Sequence, residues 1–107
     1  MIENEIEELI NKLLSLSKGF QAYGNKLRIK ICAVLIKAGE NGLRVGDIAS
    51  LLHISRPACS YHLSLLTNAK IVSYRTIKRK NYYYYSLNSL FVKKLKDYLN
   101  CLESIEN

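Results

Sequence analysis

Apolar residues recur with a helical period at both ends of the chain and with a strand-like pattern between them. From Ile2, the positions Ile2, Ile6, Leu9, Ile10, Leu13 and Leu14 fall at steps of three and four with Glu and Lys between them, which predicts an amphipathic helix that Gly19 ends. A second helix is predicted over Lys26 to Ala38, with Leu27, Ile31, Val34 and Leu35 facing a core, and the run Gly39-Glu40-Asn41-Gly42 stops it. Val45, Ile48, Ala49 and Leu52 predict a short helix from about Val45 to Leu52, and only His53-Ile54 separates it from the next start signal. That signal is Ser55 as an N-cap with Pro57 in the first turn, where the missing N–H costs nothing. The helix it opens runs through Leu63 and Leu66 to about Ala69.

The period then changes. Ile71 to Ile77 and Tyr82 to Leu87 are rich in β-branched and aromatic residues around Lys78-Arg79-Lys80-Asn81, which predicts a β-hairpin with a basic tip. From Ser89 the helical stripe returns as Leu90, Phe91, Leu95, Tyr98, Leu99, Leu102 and Ile105. Two short helices on a tight turn are the helix-turn-helix arrangement. The whole order, mainly α with a β-hairpin wing, is that of a winged helix-turn-helix domain: one unit over 1–107, with 45–69 the helix-turn-helix and 71–87 the wing. The terminal helices, 1–18 and 89–107, carry more apolar stripe than so small a core covers, which predicts a homodimer joined through them.

Charge adds a partner to this picture. The chain is 107 residues long, 49% hydrophobic, with a formal net charge of +7. After Asp47 no acidic residue occurs until Asp97, and between them lie Arg56, Lys70, Arg75, Lys78, Arg79, Lys80, Lys93, Lys94 and Lys96. A face built from that stretch has one sign, which points to a polyanion. The three cysteines, Cys32, Cys59 and Cys101, are widely spaced and form no C-x-x-C pair, as in a reduced cytosolic protein with no zinc motif. No apolar run approaches the ~18 residues of a membrane span, and the N-terminus lacks the basic start of a secretory signal, so a cytoplasmic location is expected.

A helix-turn-helix lays its second helix in the major groove of double-stranded DNA, where the N-terminal turns reach base edges. Here those turns hold Ser55, Arg56, Pro57, Ala58, Cys59, Ser60, Tyr61 and His62. Arg56 can take guanine bidentately, Ser60 and Tyr61 can bond bases or phosphates, Ala58 can meet a thymine methyl, and Ser55 can cap the helix and touch a phosphate. His62 suits a base contact or a bond to a phosphate or backbone group. Cys59 is expected to be a small groove-facing residue. Arg75 and the tip residues Lys78, Arg79 and Lys80 can straddle phosphates, which gives salt-dependent affinity rather than sequence choice. Tyr82 to Tyr85 alternate faces of a strand, two toward the core and two outward.

The residues from about Ala22 to Asn88 resemble the ArsR/SmtB family of winged-helix repressors. The resemblance rests on Val45-Gly46-Asp47-Ile48-Ala49, on Ile54-Ser55-Arg56-Pro57-Ala58-Cys59-Ser60-Tyr61-His62-Leu63, and on Tyr84-Tyr85-Ser86-Leu87-Asn88 at the wing's end. It implies a symmetric dimer that binds an inverted-repeat operator and is released by an inducer. Many members sense metals through two thiolates ahead of the recognition helix, but the matching stretch, Gly42-Leu43-Arg44-Val45-Gly46-Asp47-Ile48, has Arg44 and Gly46 there. A second family metal site needs histidine on the last helix, and 90–107 contains none. Other members sense oxidants or persulfides through one cysteine before the helix-turn-helix and one on the last helix. Cys32 and Cys101 lie on those two elements and form a candidate thiol switch, while each also suits a packed position in core or interface.

Two other readings compete. A winged helix can dock an acidic protein with the same basic face, and RNA is a third polyanion, although A-form RNA closes its major groove to a helix. An enzyme is not expected: the chain has no Gly-rich phosphate loop, no nucleophile beside an oriented base, no paired carboxylates in its acid-free half and no cofactor motif.

Overall fold

The computed structural model describes residues 2–77 and 82–106. Five helices and one two-stranded antiparallel sheet follow in the order α1 (Ile2–Tyr23), α2 (Lys26–Ala38), α3 (Val45–Leu52), α4 (Arg56–Asn68), β1 (Val72–Ile77), β2 (Tyr82–Leu87) and α5 (Ser89–Glu106). This is the winged helix-turn-helix fold expected from the hydrophobic pattern.

The first expectation to fail is the stop at Gly19, because α1 continues without a break for 22 residues. Gly19 is buried, and a Cβ built on it would lie 2.0 Å from Phe91 Cε2 and 2.2 Å from Cδ2. The glycine therefore lets α5 approach α1 and is a packing residue inside a helix, not a terminator. Phe91 is wedged there between Phe20, edge-on at 5.8 Å, and Tyr23, tilted at 5.5 Å. α1 ends at Tyr23, the Gly24 amide donates to the Gln21 carbonyl at 3.2 Å, and Asn25 then caps α2 by accepting from the Leu27 and Arg28 amides at 2.9 and 3.1 Å.

The core forms where α2, α3 and α4 meet β1 and the middle of α1. Leu16, Ile31, Leu35, Ile48, Leu63, Leu66, Ile71 and Val72 are fully enclosed in it. The wing pairs in the register Val72↔Leu87 through Ile77↔Tyr82. Leu43 adds a short third rung, exchanging backbone hydrogen bonds with Tyr85 at 3.0 and 2.8 Å. Gly42 makes this rung possible: its φ is +70°, and a Cβ there would meet the Tyr85 carbonyl oxygen at 2.5 Å. The wing is thereby tied to the loop that leads into α3.

Candidate nucleic-acid interface

The turn between α3 and α4 is closed by backbone chemistry. His53 adopts a left-handed φ of 58°, with its amide bonded to the Ser50 carbonyl and the Ile54 amide to the Ala49 carbonyl. That paired arrangement satisfies the last carbonyls of α3 and drives Ile54 against the core. Ser55 then takes an extended backbone, and its Oγ accepts from the Ala58 amide at 3.2 Å, which aims α4 outward.

Along the first turns of α4, Ser55, Arg56, Pro57, Ser60 and Tyr61 are exposed, and Ala58 and His62 are half-buried. Cys59 is not on this face. It is fully buried with Leu63 and Leu66, and burial pushes its thiol up to about 11. The spacing of Cys59, Leu63 and Leu66 by four and three was the signal for this, and it overturns the groove-facing placement.

His62 is held from behind. Its Nδ1 lies 3.1 Å from Arg28 Nη1, while Arg28 Nε donates to the Ala22 carbonyl at 2.7 Å. A guanidinium only donates, so Nδ1 accepts and the imidazole keeps its proton on Nε2. Burial, reinforced by the Arg28 charge, lowers the His62 pKa from its ordinary value. His62 is thus fixed as a neutral Nε2–H donor, with the Tyr61 ring edge-on at 5.3 Å. Arg28 is a residue that sequence reasoning missed, since no local pattern links positions 34 apart.

A cleft of about 690 Å³ opens between α3, α4 and the wing, bounded by Arg44, Ser50, Arg56, Ser60 and Tyr83 among others. The Arg56 guanidinium lies across Gly46, where a Cβ would stand 2.9 Å from Nη2. Arg44 pairs with Asp47 at 3.5 Å on the partly exposed start of α3. Arg44, Gly46 and Arg56 therefore frame an arginine-lined cleft in this chain. Among the described residues, no three of His, Cys, Asp and Glu come together as a metal-ligand set.

The wing is braced by its side chains. Tyr74 contacts Tyr83 and Tyr85 on one face at 5.3 and 5.9 Å, and Arg75 lies over the Tyr84 ring on the other at 4.9 Å. Only Tyr85 of these packs against the core, and Tyr83 is exposed. Arg75 Nη2 also donates to the Asn41 carbonyl at 2.9 Å, so this guanidinium holds the wing against the loop before α3. The tip residues Lys78, Arg79 and Lys80 lie outside the described residues.

The thiol pair is not brought together. Cys32 is buried beside the Tyr23 hydroxyl, and burial raises the pKa values of both, that of Tyr23 to about 12. Cys101 is half-buried on α5, with Lys12 Nζ 3.3 Å from its sulfur. No Cα of α2 comes within 8 Å of any Cα of α5 among the described residues. A disulfide needs about 7 Å or less, so a Cys32–Cys101 bridge within one chain is incompatible with this packing.

A capped helix set on a tight turn, backed by a core and flanked by a hairpin, defines the winged helix-turn-helix class. Residues 23–75 match the family described as "Helix-turn-helix domain". The chain is 34% identical over 88 residues to the transcriptional repressor SdpR of Bacillus subtilis, covering 82% of this chain and 89% of the relative. It is 39% identical over 82 residues to a homolog of the cadmium resistance transcriptional regulatory protein CadC from Staphylococcus aureus, covering 77% of this chain but 64% of that protein. Among solved structures it is similar to the transcriptional regulator HlyU from Vibrio vulnificus, with a TM-score of 0.67 and 28% identity over 95% of this chain and 98% of that one. The chain belongs to the ArsR/SmtB family of winged-helix transcriptional regulators.

Proposed function

We propose that this chain is a sequence-specific repressor that binds an inverted repeat in double-stranded DNA as a homodimer and leaves it when an effector binds. The observation that carries this reading is the exposed N-terminal face of α4, where Ser55, Arg56, Pro57, Ser60 and Tyr61 stand together with the oriented His62. In this reading Arg56 swings from its rest across Gly46 to a guanine edge, and Ser55 and Ser60 meet phosphates or bases. Arg44, at the start of α3, adds a phosphate contact beside them. The net positive charge of the chain then has a purpose, with Lys78, Arg79 and Lys80 assigned to the flanking phosphate backbone.

Dimerisation is supported by the outer face of the terminal helices. Ile2, Ile6, Ile10 and Leu14 of α1 and Val92 and Leu99 of α5 all leave large apolar side chains exposed, Ile2 by 74%. An isologous pairing through α1 and α5 covers them and presents two copies of α4 to successive major grooves. No helix among the described residues is long and apolar enough to cross a membrane, and the reading places the protein in the cytoplasm with the DNA.

Fluorescence anisotropy with a labelled random duplex at several salt concentrations tests it. The expected result is binding at low salt that weakens linearly on a log–log plot as salt rises. Absence of duplex binding, with polyglutamate bound instead, would replace this reading by docking to an acidic protein.

A further inference from the structure

Arg28 stands where a helix ordinarily repels a cation. It is the third residue of α2, whose first turn holds no acid to offset the positive end of the helix dipole. It has no carboxylate partner either, since the only ion pair among the described residues is Arg44–Asp47. Two contacts hold it in place. Its amide is capped by Asn25, and its Nε donates to the Ala22 carbonyl in the last turn of α1, the negative end of that helix. From this seat between two helix ends, Nη1 reaches His62 on α4. One planar guanidinium thus joins α1, α2 and the helix proposed to read DNA.

The ring that it holds is turned outward. Nδ1 is taken by a group that can only donate, which leaves Nε2–H as the one polar group His62 has to offer. That group bonds nothing else among the described residues, and no buried side-chain nitrogen or oxygen there lacks a partner, so Nε2 opens to solvent. Arg56 and Ser60 line the cleft against α3 and the wing. His62 follows Ser60 by two residues, about 200° around the helix, and so occupies the opposite flank of α4 together with Ala58. A helix lying in a major groove about 12 Å wide meets DNA along both flanks.

We infer that Arg28 is a positioning residue for DNA recognition: without touching the duplex, it holds Nδ1 and so presents the Nε2–H of His62 to an acceptor on the DNA, a purine N7 or a phosphate oxygen. The partner in this inference rests on the DNA-binding reading, whereas the tautomer it requires is a property of the free chain. A base edge that offers only a donor, such as the N4 amine of cytosine, is refused at this contact. Burial and the Arg28 charge hold the His62 pKa below its ordinary value, so the ring is neutral and adds affinity without displacing a counterion.

Anisotropy titrations with a duplex selected by the protein from a random pool test the contact, using the wild type, His62→Ala, Arg28→Met, the double variant and Arg28→Lys. His62→Ala and Arg28→Met should each weaken binding about three- to tenfold, the double variant no further, with the salt slope unchanged. Arg28→Lys should remain weakened, because an ammonium keeps the charge but not the planar fork that serves two acceptors. Where Arg28→Met loses thermal stability, His62→Ala and Arg28→Lys carry the comparison. Nitrogen-15 NMR of the free chain should show His62 as the Nε2–H tautomer in the wild type and as a mixture in both Arg28 variants, a signature that a merely structural arginine would not move. Replacing single purines by 7-deazapurines, or single phosphates by methylphosphonates, should at one position remove the difference between wild type and His62→Ala, and the substitution that does so identifies the acceptor. Additive losses in the double variant, or a salt slope reduced by about one in Arg28→Met, overturn the inference in favour of a direct contact between Arg28 and phosphate. Full affinity of His62→Ala, wild-type behaviour of Arg28→Lys, or an unchanged tautomer in Arg28→Met overturns it as well. If the wild type binds no duplex, the DNA-binding reading fails by itself, and the tautomer measurement still decides whether Arg28 holds the ring.

Discussion

Replacing Gly19 by alanine sets two physical effects against each other, and the packing of α1 on α5 decides the sign. In the middle of a helix, Ala is favoured over Gly by about 1 kcal/mol, so propensity alone makes the variant more stable. The new Cβ, however, would lie 2.0, 2.2 and 2.9 Å from three carbons of the Phe91 ring, where carbon contacts require about 3.5 Å or more. Phe91 cannot yield easily, being 6% exposed and flanked by Phe20 and Tyr23. Forcing an extra carbon into such a site costs about 1–3 kcal/mol, and the depth of this overlap puts the cost at the upper end. The net expectation is a loss of about 1–2 kcal/mol, read as a lower urea midpoint at fixed protomer concentration with an unchanged m-value. Phe91→Leu in the same background should recover part of that loss, giving a coupling energy of about 1 kcal/mol in a double-mutant cycle. A Gly19→Ala variant more stable than the wild type, with no coupling to position 91, would show that α5 does not rest on this glycine.

Two further outcomes follow from buried groups. Iodoacetamide should modify Cys101 first and reach Cys32 and Cys59 only through unfolding, since both are buried and burial raises both thiols; equal rates at Cys59 and Cys101 would return Cys59 to the surface. For His62, the folded pKa lies below the unfolded value of about 6.5, so below that pH the unfolded chain takes up the proton first and the stabilisation is lost as pH falls. Arg28→Met should move the His62 titration back up toward its ordinary value in a proton NMR titration, and an unchanged titration would mean that Arg28 does not hold the ring.

Periodicity carried most of the fold. The limits of α2, α3 and the two strands follow from apolar spacing and turn residues, and the Ser55 cap behaves as its position implies. Gly19 was misread because a glycine inside an apolar stripe has two meanings, a stop or a close approach, and only the facing Phe91 distinguishes them. Cys59 was misplaced because the exposed character of its neighbours outweighed its own spacing to Leu63 and Leu66. The bond from Arg28 to His62 and the anchor of Arg75 on Asn41 join positions far apart in the chain. No linear pattern encodes such pairs, because they arise where elements meet.

The central claim is that the first turns of α4 read DNA sequence while the wing supplies non-specific affinity. Its most direct test compares a duplex selected by the protein from a random pool with a scrambled duplex, using the wild type, Arg56→Gln and Arg79→Ala. Arg56→Gln should cost about 1–3 kcal/mol on the selected duplex and little on the scrambled one, whereas Arg79→Ala should weaken both alike and reduce the salt slope by about one. Failure of the selection to enrich any sequence, or full affinity of Arg56→Gln for the selected duplex, would contradict the account.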